Sequence, residues 1–279
     1  MAKICLTGAS GKAGRAAVAE LLGAGHDVRA TDVALPHHDL GVPLLRADLT
    51  DYGQTVEVLH GVDAVVHLAN IPAPELFPPA VTFTRNTAMN SNVFLAAAQL
   101  GLRRVVWASS ETTLGLPFDT PPRYAPVDED HYPLPTSTYA LSKVVGETLA
   151  EQISGWSGIP FVGLRFSNIM EPPDYARFPS FWGDPRLRRW NLWGYIDVRD
   201  AAAACRLALD APVDGAVSVI IAAADTVMDR PSGELLREVY PDVPLKRDVP
   251  GFDTLLAIDR ARALLGFEPA HSWRDHVAS

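Results

Sequence analysis

Short, nearly unbroken apolar runs alternate along the chain with longer stretches whose apolar residues recur every three or four positions. The first pattern marks a strand buried on both faces, the second a helix with one buried stripe. On this reading Lys3–Thr7, Asp27–Thr31, Pro43–Ala47, Asp63–Leu68, Arg104–Ala108 and Pro160–Phe166 are strands. Lys12–Leu22, Asp51–Leu59, Val81–Leu100 and Thr136–Ile153 are the helices between them. Such alternation predicts an α/β fold, a doubly wound parallel sheet covered on both sides.

The pattern changes after Arg165. Met170–Trp193 is rich in Pro, Trp and Arg and has no clean period, which predicts an ordered but irregular segment. Val198–Leu209 reads as a helix capped by Asp197, and Ala216–Ala222 as a strand, both able to rejoin the sheet. Arg230–Tyr240 and Asp253–Leu265 read as short helices, the second stopping before Gly266. The expected organisation is a nucleotide-binding domain over 1–166, with 195–222 returning to it. Residues 167–194 and 223–279 would form a small C-terminal substrate-binding lobe.

Composition narrows the function. A hydrophobic content of 48% is that of a globular chain. A formal charge of -9 argues against nucleic acid or an anionic membrane as the main partner and leaves a small molecule. No apolar run is long enough to span a bilayer, and Met-Ala-Lys leads directly into a strand with no signal peptide. Cys5 and Cys205 lie in apolar runs without metal-ligand spacing and read as buried reduced thiols. The expectation is a cytoplasmic protein with no metal.

Thr7-Gly8-Ala9-Ser10-Gly11-Lys12-Ala13-Gly14 joins the first strand to the first helix. Glycines at such a turn let the backbone approach a pyrophosphate, and the helix N-terminus supplies free N–H groups and a positive dipole end. This points to a Rossmann-type dinucleotide site. Asp32, ending the second strand, suits hydrogen bonds to the adenosine ribose and repels a 2′-phosphate, which favours NAD over NADP. Val33 follows where an NADP enzyme often has Arg, and Arg29 is the nearby cation. Asp48 is expected either to meet the adenine or to cap the following helix.

Tyr139 and Lys143 fall four apart on a predicted helix and so share a face. A lysine one turn away, with a positively charged nicotinamide ring, would favour phenolate, giving a base for a substrate hydroxyl. Ser110 closes Val105-Val106-Trp107-Ala108-Ser109-Ser110 at the carboxyl end of a strand, where α/β sheets place ligands.

Taken together these residues resemble the extended short-chain dehydrogenase/reductase superfamily, in its NAD-dependent epimerase/dehydratase branch. The resemblance runs through TGASGKAG, Asp32, HLAN at 67–70, Asn86, WASSETTLG, YALSK, LRFSN at 164–168, YIDVRD at 195–200 and LGFEP near the end. It implies Ser110, Tyr139 and Lys143 as the catalytic set. The implied cofactor site is Gly8, Ser10, Gly11, Lys12, Ala13, Gly14, Asp32, Asp48, Leu49, Leu68, Ala69 and Asn86, with Tyr139 and Lys143. Asn70, Ser110, Glu111, Thr112, Asn168 and Arg177 are the implied substrate contacts. The family often forms homodimers through two helices per subunit, here 81–100 and 136–153.

The departures bear on substrate. Nucleotide-sugar epimerases carry a long insertion after the position of Pro172, whereas only residues 173–194 separate Pro172 from Tyr195 here. Dehydratases place Asp-Glu after the catalytic Thr; here Glu111-Thr112 follows Ser110. Glu171-Pro172 followed by Arg177 is similar to uronate dehydrogenases, which carry Asn-His after their serine, as this chain does not. Arg177, Arg186, Arg188 and Arg189 lie beside Trp182, Trp190 and Trp193, a composition that serves either a sugar site or lobe packing. The expected activity is NAD-dependent oxidation of a hydroxyl on a sugar or sugar acid, with Tyr139 as base. The alternatives are epimerisation with retained NAD and a non-catalytic NAD-sensing regulator.

Overall fold

Alternate residues of each central strand point to opposite faces of the sheet, and both faces are covered, which is why the strands read as unbroken apolar runs. The computed structural model describes residues 1–276. Its strands are β1 (Lys3–Thr7), β2 (Asp27–Asp32), β3 (Leu44–Arg46), β4 (Ala64–His67), β5 (Arg104–Ser110), β6 (Phe161–Phe166), β7 (Ile169–Met170), β8 (Ile196–Asp197) and β9 (Ala216–Ile221). Its helices are α1 (Lys12–Gly23), α2 (Tyr52–Leu59), α3 (Pro79–Leu100), α4 (Thr138–Ser157), α5 (Pro179–Trp182), α6 (Val198–Asp210), α7 (Ser232–Val239) and α8 (Asp259–Leu265). The main sheet runs β3-β2-β1-β4-β5-β6-β9 with every pair parallel. Strand order reverses between β1 and β4, and the crevice outside their carboxyl ends is where such sheets bind ligands.

Ile4 and Leu6 of β1 join Val66, Val106 and Leu164 under α1 and α6. Cys5 turns the other way, with Val65, Val105, Trp107 and Phe161, under α2, α3 and α4. A third cluster, including Leu114, Phe118, Tyr175, Phe178, Trp193, Leu256 and Trp273, forms the core of the C-terminal lobe. The stretch 114–127 packs into this cluster too. Trp182 and Trp193 donate their indole N–H groups to main-chain oxygens of Val227 and Pro185, so both serve lobe packing.

The largest boundary difference from the sequence reading is in the last helix. The helix expected over 253–265 begins only at Asp259. Residues 254–257 instead pair with the chain at Val127, whose N–H donates to the Leu255 oxygen at 2.8 Å and whose oxygen accepts from Ala257 at 2.8 Å. That pairing buries Leu255 and Leu256 in the lobe, so tertiary packing overrides helix periodicity. Asp48 does not cap α2; the Asp51 carboxylate does, accepting from Gln54 N–H. The irregular 170–193 segment resolves into two 3-10 turns, Pro172–Arg177 and Pro185–Asn191, around α5.

Cys5 and Cys205 are buried free thiols, each pushed up to about 12 by burial. Among the described residues no helix is long and apolar enough to cross a membrane, and no His, Cys, Asp and Glu side chains cluster as a metal site.

Candidate active site

Gly8 turns the chain out of β1 at φ 72°, a left-handed conformation suited to glycine. A β-carbon there would stand 2.6 Å from the Ala69 nitrogen, so the turn can pack on the end of β4 only without a side chain. A β-carbon on Gly14 would collide with the Gly8 oxygen, which fixes the close approach of α1 to β1. Gly11 is different. It is exposed, and a β-carbon there would meet only the Gly8 oxygen, at 3.4 Å. Gly11 is also the N-cap of α1, and no side chain caps the helix. Its first-turn N–H groups, those of Lys12 and Ala13 among them, therefore remain available to an anion. This cradle fits a dinucleotide pyrophosphate.

Asp32 sits at the β2 end of the same crevice. Its carboxylate accepts from Ser10 N–H at 2.9 Å and Ala34 N–H at 3.0 Å, which aims it and leaves lone pairs for ribose hydroxyls. Arg29 points away, donating to the Val58 and His60 oxygens. The nearby cation is Arg46, Asp32's register partner on β3, whose Nε donates to the Val33 oxygen at 2.9 Å. Asp48 is exposed, and hydrogen bonds from the Thr50 N–H and hydroxyl hold its carboxyl below the ordinary value. The Leu49 side chain is buried in the core.

Leu68, Ala69 and Asn70 follow β4 and border the Gly8 turn. Their path is set by a buried network that the sequence reading did not assemble. Thr7 Oγ1 accepts from Ala69 N–H and pairs with His67 Nδ1 at 2.7 Å; His67 Nε2 pairs with Asn90 Oδ1 at 3.1 Å. Burial drives the imidazole down to about 3, so it is neutral. Asn90 Oδ1 also accepts from Asn70 Nδ2 at 3.2 Å. Asn86 clamps the next residue, accepting from Ile71 N–H at 2.8 Å and donating to the Ile71 oxygen at 3.1 Å. The Lys12 ammonium is likewise engaged, at 2.5 Å from Asp174, while Arg15 pairs with Glu171 at 2.8 Å. These two ion pairs tie α1 to the 171–174 turn.

At the carboxyl end of β5, Ser110 Oγ accepts from Thr112 N–H at 3.2 Å and Thr112 Oγ1 at 3.0 Å. Its own proton is thereby free for the Tyr139 phenol or a substrate oxygen. Tyr139 is buried on the first turn of α4, which Ser137 caps. Burial pushes the phenol up to about 12, with Ser110 opposing. Lys143 is also buried, 5.5 Å from the Tyr139 ring centroid, and donates to the Ala108 oxygen at 2.7 Å. Burial lowers its ammonium to about 7. The fold thus brings Ser110, Tyr139 and Lys143 together.

Glu111 and Asn168 lie on the lobe side. Glu111 is buried; one oxygen accepts from Asn191 Nδ2 at 3.0 Å and the other has no partner. Burial pushes this carboxyl up to about 7, against the pull of Ser167, Asn191 and Arg188. Asn168 lines a cavity of about 230 Å³ with Arg177, Phe181, Arg188 and Trp190 among its walls. Arg177 is exposed and makes no ion pair among the described residues, because Asp174 and Glu171 are taken by Lys12 and Arg15.

Residues 4–223 match the model of the NAD dependent epimerase/dehydratase family. The chain is 26% identical to the NAD-dependent glucose-6-phosphate dehydrogenase of Haloferax volcanii, covering 95% of this chain and 92% of that enzyme. It is 28% identical to a uronate dehydrogenase of Pseudomonas putida over 64% of this chain and 66% of that one. Among solved structures, a short-chain dehydrogenase/reductase superfamily protein of Agrobacterium tumefaciens with bound NAD superposes with a TM-score of 0.73. It is 25% identical and covers 97% of this chain and 93% of that chain.

Proposed function

The chain belongs to the NAD dependent epimerase/dehydratase family, an NAD-using oxidoreductase family, and from that premise we propose that it oxidises a hydroxyl of a small anionic sugar or sugar acid. NAD supplies the hydride acceptor. Gly8, Gly11 and Gly14 shape the turn that receives its pyrophosphate, Lys12 and Ala13 offer backbone N–H groups, and Ser10 holds Asp32 beside it through its own N–H. Asp32 takes the adenosine ribose, and Asp48 with the Leu49 backbone borders the adenine. Leu68, Ala69 and Asn86, the last through Ile71, shape the nicotinamide end.

Ionised Tyr139 removes the hydroxyl proton of the substrate, Ser110 donates to the same oxygen, and Lys143 favours the phenolate by its charge. Asn70, Glu111, Thr112 and Asn168 surround the sugar, and Arg177 meets its anionic group.

The observation that carries this reading is the arginine-lined cavity of about 230 Å³ beside Asn168. Its walls set two guanidinium groups beside Asn168, which suits the anionic group of a small sugar. The near full-length relation to a glucose-6-phosphate dehydrogenase supports the same class. A homodimer through α3 and α4 is part of the reading, supported by exposed Leu95, Leu141 and Trp156 on those helices. So is a cytoplasmic setting, which suits two reduced buried thiols.

Absorbance at 340 nm with NAD and a panel of uronates, sugar phosphates and neutral sugars tests it. NADH formed with an anionic sugar is the expected result. Product without NADH would mark epimerisation instead, and NAD binding with no turnover would leave a sensor.

A further inference from the structure

Arg188 is 3% exposed yet lines the cavity. Its Nη1 donates to Asn191 Oδ1 at 2.9 Å, its Nη2 to the Gly194 oxygen at 3.1 Å, and its guanidinium lies 4.2 Å from the Trp190 ring centroid. It makes no direct ion pair among the described residues. Its nearest compensation is Glu111, reached through the Asn191 carboxamide, whose Nδ2 donates to Glu111 Oε1. The turn that carries Asn191 is strained: Leu192 and Trp193 both adopt left-handed backbone, at φ 54° and 60°. Such conformations cost about 1–3 kcal/mol each and persist only where the surroundings over-determine them. Here Arg188 and Asn191 both donate to the Gly194 oxygen across the turn.

We propose that Arg188 is the specificity-determining contact for the anionic group of the substrate, and that Glu111 positions it through Asn191. This deepens the functional reading above and rests on it. A buried cation is costly unless paired, and a guanidinium fixed by two acceptors and an aromatic face has little freedom left to lose on binding. Arg177 faces the same cavity and repels Arg188. The cavity's own carboxylate, Asp174, is already paired with Lys12 at 2.5 Å, so the two like charges of Arg177 and Arg188 favour an incoming anion. Burial lowers Arg188 to about 10, so it stays charged at neutral pH. The groups facing Glu111 are Tyr139 from α4, Ser167 and Asn168 after β6, and Arg188 and Asn191 from the lobe. Exposed Arg177 then closes on an anion that Arg188 has already oriented.

The test is calorimetric titration of NAD-saturated protein with D-glucuronate, glucose 6-phosphate and inorganic phosphate. Wild type is expected to bind at least one of the three. Arg188→Lys keeps the charge but loses the planar fork, and should weaken that binding by about tenfold or more. Glu111→Gln should weaken it by about threefold while NAD affinity holds, a split that a merely structural residue would not give. The proposal is overturned if wild type binds none of the probes, or if Arg188→Lys binds them as wild type does. Should Arg188→Lys fail to fold, unchanged anion binding in Glu111→Gln overturns it instead. Anion binding without NADH formation would remove the oxidation reading alone.

Discussion

The Arg165 guanidinium grips both carboxylate oxygens of Glu147, at 2.9 Å each, one helical turn beyond Lys143. Ser109 also donates to Glu147 at 2.6 Å, and Glu147 supports the charge on Lys143. The pair joins α4 to β6 beneath the proposed catalytic lysine. Removing one partner strands a buried charge, so Arg165→Met should destabilise the protein by about 3–5 kcal/mol. Urea unfolding measures this; a loss below about 1 kcal/mol, the size of a surface pair, would show that the pair is solvated.

Tyr139→Phe deletes one oxygen from a buried ring. NAD affinity should survive, and turnover should fall by at least about a hundredfold, the usual worth of a positioned acid–base group. Because burial holds the phenol protonated at neutral pH and lowers the Lys143 ammonium to about 7, wild-type oxidation should quicken as pH rises and then flatten as Lys143 loses its charge. A rate independent of pH, or near-normal turnover in the variant, would take Tyr139 out of the mechanism.

Asp32→Ala should relax the preference for NAD over NADP without a second substitution. Arg46 already lies beside Asp32, and its terminal nitrogens would meet a 2′-phosphate once the carboxylate no longer repels it. Fluorescence titration with both nucleotides decides, and wild type binding NADP tenfold better would reverse the role given to Asp32.

Arg177→Lys should raise KM for the anionic substrate by roughly tenfold while leaving NAD affinity and melting temperature nearly unchanged. Arg177 has no ion pair to lose, so a fall in stability would point to packing rather than recognition.

Glu111 gives a stability signature with a definite sign. Its ordinary value of 4.5 is pushed up to about 7 in the folded protein by burial. The folded state therefore holds this proton longer than the unfolded chain. Its stabilising contribution is complete below 4.5 and is lost as pH rises through about 7. Glu111→Gln cannot ionise. Its stability relative to wild type should grow over that interval by up to about 3 kcal/mol, at 1.36 kcal/mol per pK unit. Thermal melts of both proteins across this range should diverge toward high pH, and parallel curves would show that Glu111 is freely ionised.

The sheet and the glycine turn were legible because local pattern and tertiary role agree there. β1 is apolar on both faces, and Gly8 and Gly14 have no room for a side chain. Tyr139 and Lys143 were legible because a four-residue spacing fixes their relation on any helix. The network of Thr7, His67 and Asn90 was not, since it joins three elements whose sequence separation says nothing of contact. Arg177 stood out by its place after Glu171-Pro172, while Arg188 was one of several arginines in an irregular stretch. Only burial and its partners distinguish it, and both depend on a turn that two non-glycine residues hold in left-handed conformation.

The two buried thiols make the native protein its own probe of opening. Cys5 lies in β1 and Cys205 in α6, on opposite faces of the sheet. With both thiols pushed up to about 12 and closed to solvent, an alkylating reagent modifies them only when the surrounding structure opens. Peptide mapping after timed exposure to such a reagent therefore reports opening on each face separately, with no engineered label. If the sheet opens as one cooperative unit, Cys5 and Cys205 will be modified at the same rate.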